Sequence, residues 1–101
     1  MSQLYGLITS WIKYTDLSSY SIDYDERQWM YRIWKSCAPH SVQDEVAEWE
    51  KFLNVITRKF LLESYHVRHI RSYIEEQYEC RFGSYLYGIP QPSEEEVFYM
   101  E

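Results

Sequence analysis

The feature that most constrains the fold is a long segment, residues 41–82, that contains neither glycine nor proline. Its apolar residues recur every three or four positions, which places side chains on one face of an α-helix. The clearest stripe comprises Val42, Val46, Trp49, Leu53, Ile56 and Phe60. Because a single helix of this length is unusual in a small domain, we predict two helices, residues 42–63 and 65–81, with Ser64 capping the second.

Two further helices are predicted in the first part of the chain. Residues 3–14 carry an uninterrupted apolar stripe at helical spacing: Leu4, Leu7, Ile8, Trp11 and Ile12. After a polar turn, residues 22–37 follow, with Ser21 or Asp23 as cap and Pro39 beyond the end. Their buried stripe is expected to comprise Trp29, Met30, Ile33, Trp34 and Cys37. The residues expected to face water are Arg27, Arg32 and Lys35.

The predicted fold is all-α: a single domain that forms a small four-helix bundle with a short irregular C-terminal segment, residues 84–101. A length of 101 residues supports one hydrophobic core. Gly83 is expected to end the fourth helix. The side chains expected to anchor the core are Trp11, Trp29, Trp34, Trp49, Phe52 and Phe60.

Tyrosine is unusually frequent, with 11 residues in 101, and the formal net charge is −6. A tyrosine side chain combines a large, stiff contact area with a polar tip, which suits binding surfaces. Negative charge disfavours contact with phosphates, so free nucleic acid is not the expected partner. A larger protein with a basic surface is a better match.

We therefore predict a small protein-binding inhibitor that occludes a basic surface or groove of a larger partner. This composition is typical of phage anti-host or anti-defence proteins and of toxin-immunity proteins, and acids among tyrosines can imitate a nucleic acid. One acidic zone comprises Asp44, Glu45, Glu48 and Glu50, and a second lies on the C-terminal segment. The predicted contact residues are Tyr85, Tyr87, Glu94, Glu95, Glu96 and Tyr99, with Tyr20 and Tyr24 as second choice.

Two alternatives stay open. Residues 51–74 carry five bases and one acid, which admits a helix-turn-helix-like DNA-binding regulator. The bases that would contact DNA are Arg58, Lys59, Arg68 and Arg71. The same residues also admit a structural interpretation, in which they pair with acids of the third helix or the C-terminal segment. The other alternative is a small subunit of an oligomeric assembly, such as a homodimer joined through exposed aromatic side chains.

No catalytic or cofactor motif is recognisable, so an enzyme is not expected. Cys37 lies near His40 in sequence, but its position on an apolar stripe favours a buried thiol. His66 and His69 lack the close Cys and His spacing of zinc sites, so no metal is expected. Cys37 and Cys80 form no disulfide framework, and the first residues lack the pattern of a signal peptide. Both observations favour a cytoplasmic protein, and the apolar stretches are too short for a membrane span.

Overall fold

A computed structural model describes residues 3–37 and 42–86, except for the side chains of residues 42 and 43. The described residues form four α-helices and a 3₁₀ turn, and they contain no strand, which confirms the all-α prediction. The helices are α1 (Gln3–Tyr14), α2 (Tyr24–Ser36), α3 (Val42–Lys59) and α4 (Ser64–Phe82). The 3₁₀ turn (Leu17–Tyr20) lies between α1 and α2. None of the described helices has the length and apolar character needed to cross a membrane.

Helix α1 is the central element of the bundle. It packs against all three other helices, and its closest neighbours are α2 and α4. It has the predicted bounds, and the whole predicted stripe of α1 is buried. The orientation of α4 relative to α1 follows from Tyr78, whose hydroxyl donates to Gln3 Oε1. The last turns of α4 therefore lie beside the first turn of α1, and the two helices run antiparallel.

Aromatic side chains dominate the core. Four of the six predicted anchors are buried: Trp11, Trp34, Trp49 and Phe52. The other two, Trp29 and Phe60, are only partly buried and pack edge to face at the margin of the core. Trp34 stacks on Tyr5 with ring centroids 5.1 Å apart, and its Nε1 donates to the Tyr5 carbonyl at 3.2 Å. This contact fixes α2 against the first turn of α1.

The N-terminal end of α1 is capped by a residue of another helix. Glu45 of α3 is only 3% exposed, and its Oε1 accepts a hydrogen bond from the Tyr5 backbone N–H at 3.0 Å. Backbone N–H groups in the first turn of a helix have no intrahelical acceptor, and the helix dipole favours a negative charge there. The placement of Glu45 in an exposed acidic zone is therefore wrong.

The C-terminal end of α1 is held in a corresponding way by Arg27 of α2. Its Nη1 donates to the carbonyls of Ile12 and Lys13 at 2.6 and 2.9 Å, and its Nη2 donates to the Thr15 carbonyl at 2.6 Å. These carbonyls belong to the last turn of α1 and the residue after it, where acceptors lack intrahelical donors. The prediction that Arg27 faces water is wrong, because the end of α1 offers its guanidinium a better set of acceptors.

Asp23, one of the two predicted caps, begins α2. Its Oδ1 accepts from the Glu26 N–H at 2.8 Å, and Glu26 Oε1 accepts from the Asp23 N–H at 3.0 Å, which forms a reciprocal capping box. Ser21 instead ends the 3₁₀ turn in the left-handed conformation, with a φ of 61°. The helix therefore begins two residues later than predicted, at Tyr24.

Helix α3 ends at Lys59, four residues earlier than predicted. Leu61 adopts a φ of +52°, and the Leu62 N–H donates to the Thr57 carbonyl at 3.0 Å. This six-to-one hydrogen bond is the mark of a Schellman ending, in which the left-handed position is usually glycine. Leucine occupies it here, so the residue type did not indicate the end of the helix.

Helix α4 begins at Ser64, which is its first helical residue and not its cap as predicted. Glu63 occupies the cap position, and its side chain makes no capping hydrogen bond. At the other end, Gly83 adopts a φ of 66° and its N–H donates to the Glu79 carbonyl at 2.8 Å, as expected for a glycine that ends a helix.

Candidate partner-binding surface

The described tyrosines divide between the core and the surface. Four are exposed: Tyr14 (82%), Tyr24 (72%), Tyr65 (58%) and Tyr73 (36%). Tyr20 and Tyr78 are buried, and Tyr5, Tyr31 and Tyr85 are half-buried. Part of the aromatic excess is thus buried in the core, but several phenol rings remain exposed to water.

The predicted contact residues are not brought together by the described structure. Tyr85 is half-buried beside Leu86, which belongs to the core. Tyr24 is exposed, as a contact residue must be. The remaining predicted contacts of the C-terminal segment lie outside the described residues: Tyr87, Glu94, Glu95, Glu96 and Tyr99.

Tyr20 is a packing residue and does not belong to an exposed surface. It is 6% exposed, and its hydroxyl lies 2.8 Å from His69 Nδ1. The His66 ring packs edge to face against it, with centroids 5.5 Å apart. Burial, aided by the nearby Tyr73, raises the pKa of Tyr20 above its usual range. Tyr20 therefore offers only a small part of its ring to the surface, and its role as a partner contact stays a prediction.

An open groove of about 440 Å³ runs between α1, the 3₁₀ turn and α4, and we call it the α1–α4 groove. Five of its eleven lining residues carry aromatic rings: Trp11, Tyr14, Tyr20, His69 and Tyr73. Two of its lining residues, Asp16 and Arg81, are charged. Asp16 follows the C-terminal end of α1, whereas Arg81 lies in the last turn of α4, beside the other end of α1.

The aromatic lining continues onto the first turn of α4. The rings of Tyr65 and His66 lie 4.0 Å apart between centroids, and His66 in turn contacts Tyr20. The hydrogen bond between Tyr20 and His69 joins this row to the groove. Sequence analysis did not find the row, because residues of α1, the 3₁₀ turn and α4 meet only in the folded chain.

The basic residues considered for DNA binding have different surroundings. Arg71 forms an ion pair with Glu50 of α3, which confirms the structural interpretation for that residue. Lys59 Nζ lies 5.3 Å from the centroid of the Trp29 ring. Arg58 and Arg68 are exposed.

The acidic zone predicted on α3 is largely engaged within the protein. Glu45 caps α1, and Glu50 pairs with Arg71. Glu48 lies 3.5 Å from Lys51 Nζ one turn away. These carboxylates are therefore occupied with intramolecular contacts, which weakens the interpretation of this zone as an imitation of nucleic acid.

Cys37 has the environment of an unreactive thiol. It is half-buried, and its Sγ lies 3.6 Å from the Ile33 carbonyl. Burial, together with the neighbouring Glu48, raises the pKa of the Cys37 thiol, which disfavours the nucleophilic thiolate. His40 lies outside the described residues. Among those that are described, no three His, Cys, Asp or Glu side chains converge as metal ligands, and both cysteines are free.

Comparison with known proteins finds no match for this chain among protein-family models, curated proteins or solved structures.

Proposed function

We propose that this chain is a small protein-binding inhibitor that docks through the α1–α4 groove on a basic surface of a larger partner and occludes it. The proposal rests mainly on one observation: two rings of the groove lining are exposed to water. Tyr14 is 82% exposed and Tyr73 is 36% exposed. Exposed aromatic rings around a concave site are typical of the residues that dominate binding energy at protein interfaces.

The groove is held in shape before any partner arrives. Trp11 and Tyr20 are buried in the core, and Tyr20 is bonded to His69. Because these lining residues are already ordered, binding immobilises only the exposed rings, and a small entropic cost favours affinity.

A basic partner follows from charge. The protein carries a net charge of −6, which attracts a basic surface over several ångströms. At the Tyr14 end of the groove, hydrogen bonds from the Ser18 hydroxyl and backbone N–H lower the pKa of Asp16, so its carboxylate is ionised at neutral pH. A lysine or arginine side chain entering there would meet a carboxylate and the faces of tyrosine rings. The free thiols of Cys37 and Cys80 suit action in the reducing cytoplasm.

The experiment that tests this proposal compares two pairs of exposed side chains. The partner is captured from a lysate of the source cells with the intact chain, and its affinity is then measured by calorimetry. We expect Tyr14→Ala with Tyr73→Ala to weaken binding by tenfold or more, an effect of about 1.4 kcal/mol or greater. Val55→Ala with Leu61→Ala, which removes two exposed apolar side chains outside the groove lining, is the control. Equal losses in the two variants, with helical circular dichroism unchanged, would contradict the proposed groove.

The DNA-binding alternative is tested on the same protein. Arg58 and Arg68 are exposed, but the pairing of Arg71 with Glu50 leaves a smaller basic surface than the sequence suggested. Fluorescence anisotropy with duplex DNA at low salt measures any binding. Binding that falls steeply with salt and is lost in Arg58→Ala with Arg68→Ala would favour a DNA-binding regulator. Whether the free protein forms a homodimer, the other alternative, is tested by sedimentation velocity.

A further inference from the structure

A second surface lies on a different flank of α1. Two adjoining pockets of about 380 and 210 Å³ lie between α1 and α2, and Tyr31 lines both. Their other lining residues on α1 include Gly6, Thr9 and Lys13. At 3.6 residues per turn, these positions are rotated by about 120° around α1 from the residues that line the α1–α4 groove. We call the two pockets together the α1–α2 face.

The charge of the α1–α2 face is opposite to that of the protein. The residues that line the two pockets include three bases, Lys13, Arg27 and Lys35, and none of them is acidic. This occurs in a chain with a net charge of −6. Arg27 is occupied by the carbonyls at the end of α1, so the two lysines carry the charge that faces outward.

Both lysines lie close to the same ring. Lys13 Nζ is 5.0 Å and Lys35 Nζ is 5.8 Å from the centroid of Tyr31, and the lysines come from different helices. Lys13 lines the larger pocket and Lys35 the smaller one, so each pocket carries one of the two ammonium groups. Neither forms an ion pair within the described part of the chain. A carboxylate entering either pocket would therefore meet a lysine without an internal counter-ion.

We propose that the α1–α2 face binds an acidic segment of a partner protein, with one carboxylate at Lys13, another at Lys35, and apolar side chains in the two pockets. The pockets lie at or below the lower part of the usual range for small-molecule sites, about 300–1,000 Å³, which suits single side chains of a peptide. A long polyanion such as DNA would experience repulsion from the rest of the protein, whereas a short acidic segment meets mainly the local positive charge.

The site is independent of the proposed function. It lies on a different flank of α1, uses different residues and selects the opposite charge. A variant of the α1–α4 groove, Tyr14→Ala with Tyr73→Ala, is therefore expected to retain it. Loss of one surface without loss of the other distinguishes the two proposals.

The test uses the full chain and a synthetic peptide with blocked ends, Ala-Leu-Glu-Glu-Phe-Ala. Titration at low ionic strength is followed by amide chemical shifts, which are expected to change most at the residues that line the two pockets. We expect Lys13→Gln with Lys35→Gln to weaken binding by about tenfold or more. The matched control is Lys51→Gln with Lys59→Gln, which changes the net charge equally and is expected to bind as the unmodified chain does. A peptide with Gln in place of Glu is expected not to bind.

Three results would overturn the assignment. The first is an absence of shifts at these residues at millimolar peptide. The second is an equal loss of binding in the two double-lysine variants, which would show a response to overall charge only. The third is evidence for a different occupant of the face. This would be lysine-dependent binding of a short single-stranded DNA that is tighter than binding of the peptide, or self-association that disappears in Lys13→Gln with Lys35→Gln.

Discussion

Glu45 and Arg27 bind opposite ends of α1, and neither residue belongs to that helix. The carboxylate of Glu45 accepts from the first turn, and the guanidinium of Arg27 donates to the last turn and to the residue that follows it. Each charge has the sign that the helix dipole favours at its end. Side chains of α2 and α3 thus supply the hydrogen-bond partners at the two ends of the central helix.

Replacing Glu45 is expected to destabilise the protein. Glu45→Ala leaves the partly buried Tyr5 N–H without its acceptor and should reduce the free energy of unfolding by about 1–3 kcal/mol. Glu45→Gln keeps an acceptor oxygen but loses the charge, so a smaller reduction is expected. Urea unfolding followed by circular dichroism measures both. The exposed Glu76→Ala serves as control, and a change as large as that of Glu45→Ala would contradict the capping role.

Replacing Arg27 is expected to release the other end of α1. Arg27→Met keeps much of the side-chain volume but removes all three hydrogen bonds to carbonyls. Counting the three bonds as one interaction of a charged group, we expect the free energy of unfolding to fall by about 1.5–3 kcal/mol. Arg27→Lys keeps the charge without the planar fork, so an intermediate loss is expected. The comparison variant is Arg32→Met on the exposed side of α2, for which thermal unfolding should show little change.

Leu61 and Gly83 share a left-handed backbone conformation, with φ values of 52° and 66°, so exchanges there are expected to have opposite signs. Leu61→Gly removes the backbone strain of a left-handed leucine and also removes an 85% exposed apolar side chain. Glycine makes the unfolded chain more flexible, which offsets part of this gain. The net effect should be a rise of about 0.5–1 kcal/mol in the free energy of unfolding. Gly83→Ala should lower it by about 1 kcal/mol, although the added methyl group meets no atom within 4 Å. Chemical unfolding of both variants measures the signs; the same sign for both would contradict the backbone explanation.

Stability is expected to fall at alkaline pH, in part through Tyr20. Because its folded pKa is raised, the unfolded chain loses this proton first as pH rises through the ordinary tyrosine value of about 10. The contribution of Tyr20 is therefore complete below that pH and is lost as pH approaches the folded pKa. Tyr20→Phe should show a shallower alkaline decline of the free energy of unfolding than the unmodified protein. Identical slopes in the two proteins would refute this assignment.

The sequence predicted the helices better than it predicted their ends and surfaces. The stripe of α1 was readable because its spacing depends on one helix alone, and Gly83 was readable because a left-handed helix end favours glycine. The end of α3 was missed because Leu61 occupies a glycine-like position. Periodicity assigned Glu45 and Arg27 to solvent because it shows only which residues share a helix face. It does not show which other helix packs against that face.

The candidate site was harder to predict for the same reason. The α1–α4 groove joins residues from three elements, and a pattern within one element contains no signal for their approach. Tyr24 was identified as exposed, whereas Tyr20 was not recognised as buried because its environment comes from His66 and His69 of α4. The aromatic excess indicated that some rings face water, but the choice of rings depends on tertiary packing.

The dependence of α1 on Glu45 and Arg27 has a consequence for hydrogen exchange. A free helix of this length is marginal in water, and its terminal turns normally open far more often than its middle. In this protein the amide of Tyr5 donates to Glu45 of α3, so the contact between α1 and α3 protects it from exchange. Its protection should therefore approach that of the bundle centre, and a segment consisting of α1 alone should not be helical.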